Sequence, residues 1–196
     1  PEMEEEYLDT IVNECERLSR LVDGVLLFSK AEQGKKIYHF RPVQPAAAVR
    51  EAVRALRYQL SQQGFELQME IDDGLPVITA DRDALVQATL NLLTNAMKYS
   101  GDSRVIELRV GRENASVAIR VTDHGVGIAA EDQARIFEKF YRVPTRENQA
   151  IPGAGLGLAL VAQIARAHGG KADVFSAPGQ GSTFIIRIPV EPARET

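Results

Sequence analysis

One stretch constrains this chain more than any other: Leu85–Ser100, LVQATLNLLTNAMKYS. Its spacing predicts a helix on which Leu85, Val86, Leu90, Leu92, Leu93 and Met97 cover most of the circumference. A helix that is apolar nearly all round is normally a buried one. Asn91, Asn95 and Lys98 nevertheless fall four and three residues apart, which aligns them as one narrow polar stripe. A buried amide without a partner costs about 1–3 kcal/mol. Two amides and a lysine must therefore face either solvent or a pocket that something polar fills. In the second case the rest of the chain is a frame around a ligand.

With 196 residues, 44% of them hydrophobic, the chain can bury one ordinary core and carry a small appendage. Its net charge of −4 leaves no basic surplus to neutralise phosphates, so no nucleic-acid partner is expected. The single cysteine, Cys15, excludes an internal disulfide framework and suits a reducing compartment. No stretch approaches the ~18 uninterrupted apolar residues of a membrane helix, so no membrane segment or signal peptide is expected in it. The chain opens at Pro1 and enters a helical pattern almost at once, which reads as a fragment of something longer.

Along residues 3–30, Leu8, Ile11, Cys15, Leu18, Val22 and Val25 repeat at alternating spacings of three and four, the seam of a coiled coil or helical bundle. Such a helix needs a partner, which predicts self-association. Gln33-Gly34-Lys35-Lys36 ends it, giving a helical part at 1–34 and a globular part at 35–196. The globular part predicts a short strand at Ile37–Phe40, then a helix from Pro45 with Val49, Val53, Leu56 and Leu60 as its apolar face. Further strands are expected at Phe65–Ile71 and Val77–Ala80, with Asp81 as N-cap of the helix described first. Two more, Val105–Val110 and Val117–Val121, join around Gly111–Ala115. Glu131–Tyr141 reads as a short helix and 143–152 as a pattern-free loop. A helix opened by Gly153–Leu158 runs to about His168, and Lys171–Ser176 with Ser182–Ile188 closes the chain as a hairpin. Helices interspersed with antiparallel strand pairs imply an α/β (α+β) two-layer sandwich, a mixed sheet with helices on one face.

Two glycine segments carry chemistry. Asp123-His124-Gly125-Val126-Gly127-Ile128 follows a strand, placing a carboxylate that can accept from an amine beside glycines that let a ligand approach the backbone. Gly153-Ala154-Gly155-Leu156-Gly157-Leu158 opens a helix and suits phosphates. It is neither a Rossmann fingerprint, because its third glycine comes too early, nor a P-loop, because no Lys-Ser or Lys-Thr follows. Either segment alone is a weak signal.

Taken together and in order, these segments resemble the ATP-binding catalytic domain of sensor histidine kinases, within the gyrase, chaperone, histidine kinase and MutL ATPase superfamily. Residues 91–100 are similar to its N box, Asp123–Ile128 to its first glycine box, Ile136–Arg142 to its F box and Gly153–Leu158 to its second glycine box. Ala167-His168-Gly169-Gly170 and Gly181-Ser182-Thr183-Phe184 match its usual ending. The likeness spans residues 37–190 and implies a Bergerat-type ATP-binding fold.

The resemblance implies roles residue by residue. Asp123 would bind the adenine amine, with Thr183 nearby. Asn95 would offer its carbonyl oxygen to Mg2+, and Asn91 and Lys98 would help hold metal and phosphates. Tyr99 and Tyr141 would lie at the nucleotide, with Gly125, Gly127 and Ile128 around the base. Gly153, Gly155, Leu156, Gly157 and Leu158 would cradle phosphates. Lys139 and Arg142 would border an ATP lid at about 143–152, and one of them would neutralise the γ-phosphate. Asn91 stands where the hydrolytic branches carry a glutamate general base. An amide cannot take that proton, so transfer to a protein side chain is favoured over hydrolysis.

The family's phosphoacceptor histidine has no counterpart here. His39, His124 and His168 fall on an early strand, in the glycine turn and at a helix end, and each is read as structural or incidental. Residues 3–33 resemble the second helix of the family's dimerisation hairpin, so the acceptor helix is expected to precede this fragment. The implied whole is a kinase that phosphorylates its own histidine from Mg-ATP and passes the group to a response-regulator receiver domain. It would be a homodimer through the hairpin and cytoplasmic, and a parent protein anchored in the inner membrane is compatible with this reading. Two other readings stay open: a same-fold ATPase, marked by steady phosphate release, and a non-catalytic scaffold, marked by no ATP binding.

Overall fold

The computed structural model describes residues 38–144 and 153–190. The helical segment expected at 1–34, and nearly all of the expected lid, lie outside those residues.

Strand β1 (Arg41–Val43) leads into helix α1 (Pro45–Gln62), which has proline in its first turn as the fixed φ of that residue favours. Val49, Leu56 and Leu60 are buried on one face of α1, and Val53 packs at its margin. The chain then forms β2 (Glu66–Ile71), β3 (Ile78–Ala80) and α2 (Arg82–Tyr99). Next come β4 (Val105–Glu113), β5 (Ser116–Asp123), the single turn α3 (Ala130–Gln133), α4 (Gly157–Ala167), β6 (Lys171–Ser176) and β7 (Ser182–Pro189).

Five strands make one mixed sheet in the order β2-β4-β5-β7-β6. The β2–β4 pair is parallel and the others antiparallel, while β1 and β3 form a separate antiparallel pair. Period-two alternation sends Ile106, Leu108, Val110, Ile119, Val121, Phe184, Ile186 and Ile188 into the core, beside Leu85, Leu92 and Leu93 of α2. Each large apolar side chain buried in this way stabilises the fold by about 1.5–3 kcal/mol before chain entropy is counted. The other side of the sheet carries a charge ladder in which Arg187 pairs with both Glu113 and Asp173. The expected two-layer architecture, a mixed sheet with helices on one face, is the one observed.

Asp81 caps α2 through a 2.9 Å hydrogen bond accepted from the Ala84 N–H. The same carboxylate accepts the His39 N–H at 2.9 Å. The Asp81 N–H donates to His168 Nε2 at 2.9 Å, while His168 Nδ1 lies 2.7 Å from the Ile164 carbonyl. An accepting Nε2 puts the proton on Nδ1, so His168 is a neutral internal linker between the start of α2 and the end of α4. Rings of Tyr38 and Phe40 stack edgewise on it.

Four local expectations are corrected. Tyr38–Phe40 is not strand, because those side chains pack on His168 and pairing with β3 begins at Arg41. The helix expected over Glu131–Tyr141 lasts one turn, since Phe140 sits at φ 61° and gives its N–H to the Gly155 carbonyl at 3.0 Å. For the same reason the glycine run from Gly153 is loop, and helix starts only at Gly157. The β4–β5 hairpin is also tighter than expected, with Asn114 at φ 53° in a two-residue connection.

Candidate functional site

The polar stripe of α2 faces a cavity of about 290 Å3. Asn91, Thr94, Asn95, Lys98 and Tyr99 line one side of it. Helix geometry places them there: positions 91, 95 and 98 share one face, while 92, 93, 96 and 97 are buried on the other.

The two amides are prepared differently. Asn91 donates its Nδ2 to the Gln87 carbonyl at 2.9 Å, which leaves Oδ1 pointing towards Gly157. A Cβ at Gly157 would come within 3.2 Å of that oxygen. Asn95 has no hydrogen bond to another described residue, so its amide is available to whatever enters. Lys98 stands beside Gly153, and Arg142 Nη1 donates to the Gly153 carbonyl at 3.2 Å. Two cations therefore border the cavity on the side of the amide stripe. Arg142–Gly153 and Phe140–Gly155 also tie together the two ends of the expected lid.

At the other side lies Asp123, the last residue of β5 and only 2% exposed. Its Oδ1 accepts the Gly125 N–H at 3.0 Å, and the carboxylate also takes the Ser182 backbone N–H. Burial nevertheless dominates and pushes its pKa above the ordinary value, against the lowering effect of those two N–H groups and of His124. A buried carboxylate of this kind is stabilised by any further donor. Val126, Ile128, Ile136, Leu156, Leu158 and Phe184 supply apolar walls to the cavity. The cavity lining combines a buried hydrogen-bond acceptor, apolar surface, amide oxygens and cations.

Of the residues singled out from sequence, Asn91, Asn95, Lys98, Tyr99, Asp123, Gly127, Ile128, Tyr141 and Arg142 line the cavity, as do Gly153, Gly155, Leu156, Gly157 and Leu158. Gly125, Thr183 and Lys139 do not. Gly125 is needed for chain approach rather than ligand approach: a Cβ there would lie 1.8 Å from the Tyr99 carbonyl oxygen, at the end of α2. Thr183 points to the opposite side of the sheet, where its Oγ1 is 2.9 Å from Thr122 Oγ1. Strand pairing sets Ser182, not Thr183, against Asp123. Lys139 is exposed outside the cavity wall. Tyr141 is held at the rim by a hydrogen bond to Asp132, which raises its phenol pKa, and by Arg135 4.2 Å from its ring centroid.

Sequence reasoning missed Thr94, Val126, Ile136, Val143, Ala154, Ser182 and Phe184 as lining residues. Ser182 and Phe184 were accessible from alternation along β7, since they share a face with Ile186. None of His39, His124 and His168 lines the cavity. His124 pairs with Glu107 at 2.9 Å on the exposed face, and His168 has both ring nitrogens engaged.

Among the described residues no three His, Cys, Asp or Glu side chains cluster to hold a metal. The donor set offered is Asn91 Oδ1 and the Asn95 amide. Neutral oxygens suit a hard cation only when further oxygens come with the ligand.

Comparison with known proteins bears on these features. The profile of the Histidine kinase-, DNA gyrase B-, and HSP90-like ATPase family matches residues 80–192. The circadian input-output histidine kinase CikA of Synechococcus elongatus is 34% identical over 190 residues, covering 96% of this chain and 25% of CikA. The sensor-like histidine kinase SenX3 of Mycobacterium tuberculosis is 33% identical, over 93% of this chain and 44% of SenX3. This chain thus spans between about a quarter and a half of such relatives. Among solved structures, full-length ShkA in complex with AMPPNP superposes with a TM-score of 0.81 at 29% identity, over 96% of this chain and 39% of that one. The catalytic domain of histidine kinase ThkA gives 0.69 at 25% identity, over 80% of this chain and 99% of that one.

Proposed function

Since this chain belongs to the histidine kinase-, gyrase B- and HSP90-like ATPases and carries a sensor histidine kinase ATP-binding domain, we propose that its cavity binds Mg-ATP and presents the γ-phosphoryl to a histidine of the parent kinase. The observation that carries this reading is that one cavity is lined by the buried Asp123 carboxylate, the Asn91, Asn95 and Lys98 stripe and apolar side chains together.

In this reading Asp123 accepts a hydrogen bond from the adenine amine, and Ile128, Ile136, Leu156 and Phe184 enclose the base. Asn95 and Asn91 Oδ1 would hold a Mg2+ through amide oxygens, an oxygen donor set that suits a hard cation accompanying the phosphates. When bound, that ion would supply positive charge to offset that of the phosphates. Lys98 and Arg142 neutralise the triphosphate, whereas Lys139 lies outside the cavity lining. Phosphoryl transfer demands mainly positioning and charge neutralisation. A histidine nitrogen forms the new bond to the γ-phosphorus as the bond to the bridging β–γ oxygen breaks. The positive groups stabilise the charge that collects on the departing diphosphate.

No side chain of the cavity acts as a general base for water. Asn91 occupies the place from which one would act, and its amide is already committed to the Gln87 carbonyl. This favours kinase over ATPase chemistry. The acceptor is a histidine outside this sequence: His168 has no nitrogen to offer, and neither His39 nor His124 reaches the cavity. The proposed partners of the whole protein are a second copy, through residues 1–34, and a response-regulator receiver domain. No helix of the described residues is long and apolar enough to cross a membrane, and we place the domain on the cytoplasmic side.

The test is titration with Mg-ATP by calorimetry, followed by incubation with γ-labelled ATP. The expected results are saturable binding and no acid-labile phosphohistidine on this chain alone. Label appearing on this chain would overturn the assignment of the acceptor, and absence of binding would overturn the function.

A further inference from the structure

The turn after Asp123 is clamped by the β6–β7 hairpin. Gly179 donates its N–H to the Val126 carbonyl at 2.8 Å, and Gly181 donates to the Gly125 carbonyl at 3.0 Å. Gln133 Nε2 bridges the Ile128 and Ser176 carbonyls at 3.0 and 2.8 Å. At the centre is the Ser176 hydroxyl, which does not line the cavity. It lies 2.8 Å from the Ile128 nitrogen, 2.7 Å from the Gly181 carbonyl oxygen and 3.0 Å from Ser182 Oγ.

Counting protons fixes every direction in this cluster. A serine hydroxyl has one hydrogen and two lone pairs. The Gly181 carbonyl can only accept, so it takes the Ser176 hydrogen. The Ile128 N–H can only donate, so it occupies one Ser176 lone pair. Ser182 must then donate its own hydrogen to the other. Ser182 lines the cavity and pairs in register with Asp123. With its hydrogen committed, it can present only lone pairs to a ligand. Asp123, when ionised, is also acceptor-only. The cavity thus opposes its ligand with two adjacent acceptors.

We propose that Ser176 is a specificity-determining positioning residue: by holding the Ser182 hydrogen, it makes the site select an amine over a carbonyl at the ligand edge facing Asp123. The proposal rests on the nucleotide reading above. A 6-amino purine has two hydrogens to give, one to Asp123 and one towards Ser182, directly or through a water. A 6-oxo purine presents an oxygen to both acceptors and is repelled.

The experiment compares the affinities of ATP and inosine triphosphate, which differ at position 6, for the full chain by calorimetry. Wild type prefers ATP. In Ser176→Ala the Ser182 hydroxyl is free to turn and donate to an oxygen, so the preference narrows by about 2- to 10-fold, the range for one neutral hydrogen bond. Ser182→Ala narrows it similarly, and adding Ser176→Ala to that variant narrows it no further. Ser176→Thr keeps a hydroxyl and retains the wild-type preference. If Ser176→Ala weakens both nucleotides equally and leaves the ratio intact, the residue merely braces the turn and the proposal is overturned. Should Ser176→Ala not fold, a wild-type ratio in Ser182→Ala overturns it as well. Wild type binding neither nucleotide removes the nucleotide reading, whereas wild type binding ATP with unaltered ratios in the variants removes only this proposal.

Discussion

Replacing Asp123 by asparagine separates what this residue costs the fold from what it contributes to binding. The carboxylate is 2% exposed, and burial holds its pKa above the ordinary value despite two backbone N–H donors. A hydrogen bond to a charged group contributes about 1.5–3 kcal/mol. Losing the amine-to-carboxylate bond should therefore weaken ATP by about 10- to 150-fold. The control is purine riboside triphosphate, which lacks the 6-amino group. Wild type should prefer ATP over it, and Asp123→Asn should erase most of that preference. Equal weakening of both nucleotides would show that the carboxylate does not read the amine.

The pH dependence has a definite sign. A carboxyl whose folded pKa is raised keeps its proton to higher pH in the folded than in the unfolded chain. Its contribution to stability is present below the unfolded pKa and is lost as pH rises through the folded one. Nucleotide-free wild type should thus lose stability relative to Asp123→Asn over that window, read as a divergence of Tm with rising pH. Binding runs the opposite way. ATP affinity should decline as pH falls through the raised pKa, from a higher pH than an ordinary aspartate would give. Parallel Tm profiles for the two proteins would refute the burial argument.

Other outcomes follow from single contacts. Asn95→Ala should weaken Mg-ATP while leaving adenosine affinity nearly unchanged, as calorimetry with each ligand would show; equal losses would remove Asn95 from the phosphate side. Gly125→Ala places a methyl 1.8 Å from the Tyr99 carbonyl oxygen, so thermal unfolding should show strong destabilisation, beyond the roughly 1 kcal/mol typical of point variants. His168→Ala strips the Asp81 N–H of its acceptor and opens a gap beneath Tyr38 and Phe40. An unsatisfied buried donor alone costs about 1–3 kcal/mol, so denaturant unfolding should register at least that loss.

The sequence was most informative where one period controls one element. In α2 the 3.6-residue repeat separated a buried face from a polar stripe, and the Asp81 cap marked its start, so both the helix and its cavity-facing side chains were legible. Period-two alternation located β2, β4 and β5 for the same reason. What failed was long-range backbone geometry. Nothing local in Glu131–Tyr141 indicates that Phe140 will adopt a positive φ to meet Gly155, because that bond exists only after the glycine run has folded beside it. Similarly, Gly125 looked like an opening for a ligand, and the group it admits is the chain's own Tyr99 carbonyl.

Thr183 and Ser182 show a second kind of limit, in which the information was present but attached to the wrong residue. Adjacent strand residues face opposite sides of a sheet, so at most one of the pair can share the cavity with Asp123. The burial of Phe184, Ile186 and Ile188 decides for Ser182. That one-residue shift changes the chemistry of the site. Thr183 bonds to Thr122 on the far face and does not line the cavity. Ser182 connects through Ser176 to the backbone of Ile128 and Gly181, so the polarity of the cavity beside Asp123 is set by the clamp that also shapes its floor. Under the proposed reading, recognition and local folding are coupled through one hydroxyl. A change that loosens the hairpin should alter which base is accepted before it abolishes binding.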